Sequence, residues 1–340
     1  MVPSVLKDTS VKSTNCTFFG TDYKLPVAIA PTGLNGLIRP SGDQLIAQAA
    51  AAQGIPFILS TAANCSLEQI CDVTGIPPWF QLYVMNREDA FQLIDRARAL
   101  ACKVLVVTVD VPVSGNRIRD LRNGFTLPFK PTWPVLCDCI NRPAWSMKQF
   151  KTINKLSFPM LNSGPLHRKR VKQLFSRSFD TSFSWKDIAI IRDRWKGVLV
   201  LKGILNPDDA VQACKLGVDG IIVSNHGGRQ LECAPASLTM LPAVVAAVKN
   251  KITVFLDGGI RSGEDVLKAL ALGADGVLAG RLPLYGLAAA GGNGVSAIMA
   301  QLQKEILTAM SLTGCTTLND VRNMWVTGNM PTQVQHINKF

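Results

Sequence analysis

No run in this 340-residue chain is long and apolar enough to span a bilayer; stretches such as VLVVTV at 104–109 fall far short of the roughly 20 residues required. The opening MVPSVLKDTS lacks the basic-then-apolar layout of a secretory signal, and the closing Asn338-Lys339-Phe340 is not a peroxisomal address. Nine cysteines form no framework and no C-x-x-C-H haem site. Cys137 and Cys139, the one close pair, supply only two of the four ligands a structural zinc takes, so no metal site is expected. The thiols read as reduced and cytoplasmic. No G-x-G-x-x-G follows the first apolar strand, which counts against a doubly wound dinucleotide fold. Histidine is scarce too: there are three.

What is present is globular in character, with 47% hydrophobic and 18% charged residues and enough length for a large core. The net charge of +12 is concentrated. Ten Lys or Arg between Lys130 and Phe183 face only Asp138 and Asp180, so this segment holds eight of the twelve net charges. Connections within compact domains are usually short, and one this long is either functional or disordered. Its HRKR cluster at 167–170, Trp133 and Trp145, and apolar Leu156, Phe158 and Met160 suit an anionic membrane surface. The alternative is a solvated lid. No nucleic-acid recognition motif accompanies the charge.

Short apolar runs at Leu25–Ala30, Ile55–Leu59, Trp79–Val84, Val104–Val109, Val198–Leu201, Gly220–Val223, Thr253–Leu256 and Gly276–Ala279 alternate with helical patterns. Asn206-Pro207 and Ser262 with Glu264-Asp265 are helix starts; Gly54, Gly217 and Gly273 are stops. Eight strand–helix units predict an α/β fold of the (β/α)8 TIM barrel class, one domain over residues 1–340, with 130–183 a basic insertion after the fourth strand.

Polar residues recur at the C-terminal ends of these strands, where barrel enzymes gather their chemistry. They are Thr32 and Gly33, Ser60, Gln81 and Tyr83, Thr108 and Asp110, Lys202, then Ser224, His226 and Arg229, then Asp257, Gly259 and Arg261, then Gly280 and Arg281. The loops DGGIRSG and AGRLPLYG offer backbone amides and two arginines just before helices, which suits a phosphate monoester; tight turns are the plainer use of such glycines. Lys202 ends an apolar strand, where it could form a Schiff base, face a reduced flavin, or snorkel to solvent. His226 with Asp110 suits a base oriented by a carboxylate. Arg117 and Arg229 can clamp a substrate carboxylate, and Tyr83 can bond a substrate oxygen. The set favours a small carboxylic acid activated at its α-carbon.

SNHGGRQL, LKGIL, DGGIRSGEDVLKALALGADGVLAGR and WFQLYV, spread over nearly the whole chain, resemble the FMN-dependent 2-hydroxy acid oxidising family, which includes glycolate oxidase, flavocytochrome lactate dehydrogenase and mandelate dehydrogenase. PTGLNG with LSTAAN is most similar to the mandelate dehydrogenase branch. The resemblance implies FMN as cofactor and oxidation of an (S)-2-hydroxy acid to the 2-oxo acid, with electrons passed on to a quinone or oxygen. It puts Thr32, Ser60, Gln81, Thr108, Lys202 and Ser224 along the isoalloxazine or ribityl chain, and Asp257, Gly259, Arg261, Gly280 and Arg281 at the ribityl end and phosphate. Tyr83, Asp110, Arg117, His226 and Arg229 would handle the substrate, His226 as base. Ala62 stands where the glycolate oxidase branch has a bulky aromatic residue, which implies a mandelate-like acid.

Family members begin with a further helical segment carrying an active-site tyrosine, and this sequence opens after it. Either the sequence is that of an N-terminally shortened protein, or the carboxylate relies on Arg117 and Arg229 alone; the alternative function is a catalytically impaired flavin-binding protein. The resemblance further implies a homotetramer, cytoplasmic, with peripheral contact at the inner face of the cell membrane through 130–183.

Overall fold

The computed structural model describes residues 1–124, 132–150, 157–161 and 180–327. Two short strands, β1 (Cys16–Phe18) and β2 (Thr21–Tyr23), form an antiparallel hairpin. Eight strands follow: β3 (Val27–Ile29), β4 (Ile58–Ser60), β5 (Trp79–Leu82), β6 (Val104–Thr108), β7 (Val198–Ile204), β8 (Gly220–Val223), β9 (Thr253–Asp257) and β10 (Gly276–Ala279). They pair in parallel in the order β3-β10-β9-β8-β7-β6-β5-β4. A parallel bridge from Ile29 to Phe57, with the Ile29 amide donating to the Pro56 carbonyl at 2.8 Å, brings the two ends of the sheet together. The expected (β/α)8 barrel is what forms.

Boundaries shift where polarity masks the ladder. The fourth strand ends at Thr108, one residue inside the expected run, whereas β7 runs on through Lys202 to Ile204 and β9 reaches Asp257. Lys202 and Asp257 are buried, so pairing persists there after the apolar pattern has stopped. The helices obey their local signals. The helix Gly42–Gln53 stops at Gly54 in the left-handed region (φ 63°), and Gly263–Ala271 starts from a Ser262–Asp265 capping box.

Alternation along the strands sorts the core into two. Odd positions such as Leu105, Val107, Leu199 and Leu201 pack outward against the helices. Ala28, Ile58, Val104, Val106, Val200, Ile222, Phe255 and Leu278 form a separate cluster that fills the lumen. The hairpin, which the apolar-run pattern does not reveal, joins that cluster through Phe18, 2% exposed, and so plugs one end. Gly220 and Gly276 make room for it: a methyl group there would sit 2.9 Å from the Phe19 ring and 2.6 Å from the Phe18 ring.

Within the expected insertion, helices Trp133–Ile140 and Pro143–Phe150 and a 3-10 turn at Pro159–Leu161 are described. Arg142 and Lys148 lie among these residues. Lys130, Lys151, Lys155, Leu156, Arg168, Lys169, Arg170, Lys172 and Arg177 lie outside the described residues.

Candidate active site

The lumen turns polar one layer above its apolar filling. Two residues beyond Ile58, Trp79, Val106, Val200, Ile222, Phe255 and Leu278 come Ser60, Gln81, Thr108, Lys202, Ser224, Asp257 and Gly280. The period of two that buries the first set aims the second into the same space at the C-terminal mouth. There they bond to one another. The Ser60 hydroxyl donates to Gln81 Oε1 at 2.9 Å, and Gln81 Nε2 donates to Thr108 Oγ1 at 3.0 Å. Lys202 Nζ lies 2.7 Å from Asp257 Oδ2 and donates to Ser224 Oγ at 3.0 Å, while that hydroxyl donates to Asp257 at 2.7 Å.

Lys202 is 4% exposed, so it does not snorkel. Burial alone would lower its pKa, but the Asp257 carboxylate more than offsets this, with Asp110 assisting, and the net direction is upward. Asp257 shows the mirror image: burial pushes it up, the Lys202 charge pulls harder, and it ends below the ordinary range. The two shifts agree on an ionised pair.

His226 sits at a left-handed backbone position (φ 59°), followed by Gly227 and Gly228 in the same region. For a residue with a side chain this costs roughly 1–2 kcal/mol. The turn is held by the His226 amide on Ser224 Oγ at 3.0 Å and the Gly228 amide on Asn225 Oδ1 at 3.1 Å. Nδ1 lies 3.1 and 3.2 Å from the two Asp110 oxygens, and Nε2 lies 3.4 Å from the Tyr83 hydroxyl. A carboxylate accepts, so Nδ1 carries the proton and the Nε2 lone pair remains available. Burial lowers the His226 pKa, the Asp110 bond raises it, the Lys202 charge lowers it, and the net direction is down. The imidazole is therefore neutral near pH 7.

Gly203 explains how Asp110 comes so close. It is an irregularity in the β7–β8 pairing with φ 108°, and a methyl group there would lie 2.5 Å from the Asp110 Cβ and carboxyl carbon. Only glycine combines that conformation with that approach.

A cavity of about 490 Å³ opens over this layer, within the usual 300–1,000 Å³ of cofactor pockets. Of the residues proposed from sequence, Thr32, Ser60, Tyr83, Arg117, Lys202, His226, Arg229, Asp257, Gly259, Arg261, Gly280 and Arg281 line it. Gln81, Thr108, Asp110 and Ser224 do not; they sit behind that wall and act on the cavity through the residues they bond. Arg229 is engaged with Asp120 at 3.1 Å, and Arg117 Nε donates to the Arg229 carbonyl at 3.1 Å. In this arrangement the two arginines border the cavity but are not a preformed clamp.

At the other end, Gly258 and Gly259 adopt φ 105° and 86°, beside Arg261 and Arg281. The helix Arg281–Ala290 begins at Gly280 with no side-chain cap, which leaves its first amides for an anion.

Leu37 and Ile38, wall residues with no sequence signal of their own, come from a four-residue helix, Asn35–Ile38, and Phe158 comes from the insertion. Phe158 and Met160, expected at a membrane surface, are instead 4% and 1% exposed and pack into the core. The loops that bear them meet at buried Asp43, which accepts from Asn35 Nδ2 at 2.7 Å and from the Asn64 amide at 2.8 Å. Asn64 accepts from the Gly36 amide at 3.0 Å and donates to the Ser157 carbonyl at 3.0 Å. Burial raises the Asp43 pKa to about 6 against the pull of these donors.

Fold and site together define a class, the barrel oxidoreductases that hold a phosphorylated flavin across the strand ends. The chain belongs to the FMN-dependent dehydrogenase family, whose sequence profile matches residues 1–327. It is 44% identical over 330 residues to an L-lactate dehydrogenase of Caulobacter sp. (strain K31), covering 93% of this chain and 84% of that protein. An L-lactate dehydrogenase of Ectopseudomonas mendocina (strain ymp) is 42% identical over 323 residues, with 93% and 84% covered. Among solved structures, a monotopic membrane protein, (S)-mandelate dehydrogenase, superposes with a TM-score of 0.88 at 38% identity, covering 94% of this chain and 85% of that one. A mandelate oxidase solved with (S)-2-phenylpropionate superposes with a TM-score of 0.77 at 37% identity, with 95% and 84% covered.

The protein is thus an FMN-dependent 2-hydroxy acid dehydrogenase or oxidase. The residues present fit FMN: uncapped amides and two arginines for a phosphate at one end, and a buried cation at the polar layer.

Proposed function

We propose that this protein oxidises an (S)-2-hydroxy acid with a side chain larger than that of glycolate, a mandelate-like acid, to the 2-oxo acid, and that His226 is the base. FMN, when bound, supplies a two-electron acceptor. Thr32, Ser60 and Lys202 would hold its ring and ribityl chain, with Gln81, Thr108 and Ser224 bracing Ser60 and Lys202 from behind; Asp257, Gly259, Arg261, Gly280 and Arg281 would hold the ribityl end and phosphate. Lys202, kept charged by Asp257, would stabilise negative charge on the reduced ring. The observation that carries the reading is the neutral, Asp110-oriented imidazole beside Tyr83 on the cavity wall. Its Nε2 takes the substrate proton, Asp110 stabilises the resulting imidazolium, and Tyr83 bonds a substrate oxygen. Arg229 would have to leave Asp120 for the carboxylate, and Arg117 would border it.

Side-chain size is supported by Gly33 and Ala62, two small residues that line the cavity. Comparing kcat/KM for glycolate, lactate and mandelate tests this; a clear glycolate preference sinks it. That both arginines are already engaged favours a second reading, a flavin-binding protein with weak turnover. Anaerobic addition of a 2-hydroxy acid separates the two, since bleaching of the flavin bands supports the enzyme and unbleached bands the binder.

The acceptor we propose is a quinone in preference to oxygen, reached at a membrane. Among the described residues no helix is long and apolar enough to cross one. Trp133, Ile140, Met147 and Phe150 are nonetheless exposed on the two insertion helices, in a segment rich in Lys and Arg. Peripheral attachment fits these features, and the family resemblance alone suggests a cytoplasmic homotetramer. Co-sedimentation with anionic vesicles, for the parent and for a form with a short Gly/Ser linker in place of 140–178, is the test. Equal binding by both forms, or by neither at low salt, overturns it.

A further inference from the structure

The short helix Asn35–Ile38 forms one lip of the cavity, since Leu34, Leu37 and Ile38 all line it. A helix of four residues cannot satisfy its own last carbonyls. Here three consecutive ones are met from outside, by the insertion helix Pro143–Phe150. Gln149 Nε2 donates to the Gly36 carbonyl at 3.0 Å and to the Leu37 carbonyl at 2.8 Å, and Trp145 Nε1 donates to the Ile38 carbonyl at 3.0 Å. Both Gln149 partners are carbonyl oxygens, so the amide must present its NH2 and not its oxygen. Gln149 is 4% exposed, whereas Met147 and Phe150 on the same helix are 65% and 83% exposed.

We propose that Gln149 is a positioning residue for the cofactor cavity. Through its two amide hydrogens it fixes the lip that carries Leu37 and Ile38, and so makes the insertion a structural part of the cavity wall. The proposal rests on the reading that this cavity holds FMN. Removing the amide leaves one buried and one partly buried carbonyl without this donor, and the lip is freed to open.

The test is the FMN dissociation rate of the holoenzyme, followed by the rise in free-flavin fluorescence. Gln149→Leu is expected to release FMN about tenfold faster, the equivalent of roughly one lost buried hydrogen bond. Gln149→Glu keeps the shape but, when ionised, turns two donors into an anion against two carbonyl oxygens. At about pH 7.5 it should release FMN at least as fast as Gln149→Leu. Nearer pH 5.5 its carboxyl protonates and regains one O–H donor, so its rate relative to the parent should fall several-fold while that of Gln149→Leu stays constant. Two cations, Lys148 and Arg39, adjoin the two elements, and Asp43, which accepts from Asn35 of the lip and is held at about 6, titrates within this interval; parent and variants share it, so each variant's rate is read against the parent's at the same pH. Rates within twofold of the parent for Gln149→Leu, or identical pH behaviour of the two variants, overturn the proposal. Should Gln149→Leu fail to fold, Trp145→Phe removes only the bond to Ile38 and should speed release in the same direction; an unchanged rate overturns the proposal equally. A parent that takes up no FMN refutes the functional reading instead, which keeps the two failures distinct.

Discussion

Replacing Lys202 by Met removes the cation from the polar layer of the barrel mouth and retains most of its volume. The Asp257 carboxylate, 8% exposed, is then left with the Ser224 hydroxyl at 2.7 Å and no countercharge at Nζ. Removing one partner of a buried pair typically costs about 3–5 kcal/mol. The pH dependence gives the loss a signature. In the parent, Asp257 lies below and Lys202 above its ordinary value, so the pair stabilises the fold across the neutral range. Asp257 loses its share only as pH falls through its depressed pKa, and Lys202 only as pH rises through its raised one. In Lys202→Met the attraction is gone and burial dominates, so the Asp257 pKa rises above its ordinary value. The folded variant then binds a proton more tightly than the unfolded chain, and its stability falls as pH rises from acid to neutral. Urea denaturation of parent and variant at about pH 5 and pH 7.5 measures both effects, with the smaller difference expected in acid. A difference below about 1 kcal/mol at neutral pH, or one independent of pH, would refute the ionised pair.

Asp110→Asn removes the carboxylate bond that raises the His226 pKa, so the acid limb of flavin reduction should move to lower pH while the rate falls; an unmoved limb in stopped-flow pH profiles contradicts the assigned pair. Asp43, held at about 6, binds its proton more tightly when folded, so parent stability should decline between about pH 4 and pH 6 by roughly 3 kcal/mol from this group. Asp43→Asn should flatten that slope in denaturation curves measured across the interval, and an unchanged slope counts against it. Gly203→Ala should cost about 1–3 kcal/mol for its φ of 108° and push Asp110 off His226, which slows flavin reduction; normal reduction kinetics would show that Asp110 tolerates the displacement.

Most of the barrel is legible in the sequence because its strands are buried on both faces, and a buried parallel strand reads as a continuous apolar run. The period of two then does more than locate strands. Val106 and Thr108, or Phe255 and Asp257, share a face, so the residues that fill the lumen foretell which polar side chains crown it. The hairpin at Cys16–Tyr23 is not legible, because its three-residue strands carry no measurable alternation and form only where Phe18 finds the lumen. The lip helix Asn35–Ile38 is equally silent, since donors about 110 residues away in sequence satisfy its carbonyls. The engagement of Arg229 with Asp120 is also tertiary, and residue type alone marks Arg229 only as an available cation.

In the proposed reaction a neutral His226, oriented by Asp110, takes the substrate proton. Anaerobic stopped-flow reduction of the holoprotein by a 2-hydroxy acid tests it most directly when parent and His226→Ala are compared at matched FMN content. The variant is expected to retain FMN and to be reduced several orders of magnitude more slowly, about what loss of a positioned base and its charge entails. Reduction at the parent rate would contradict it, and loss of bound FMN would make His226 a structural residue of the cofactor site instead.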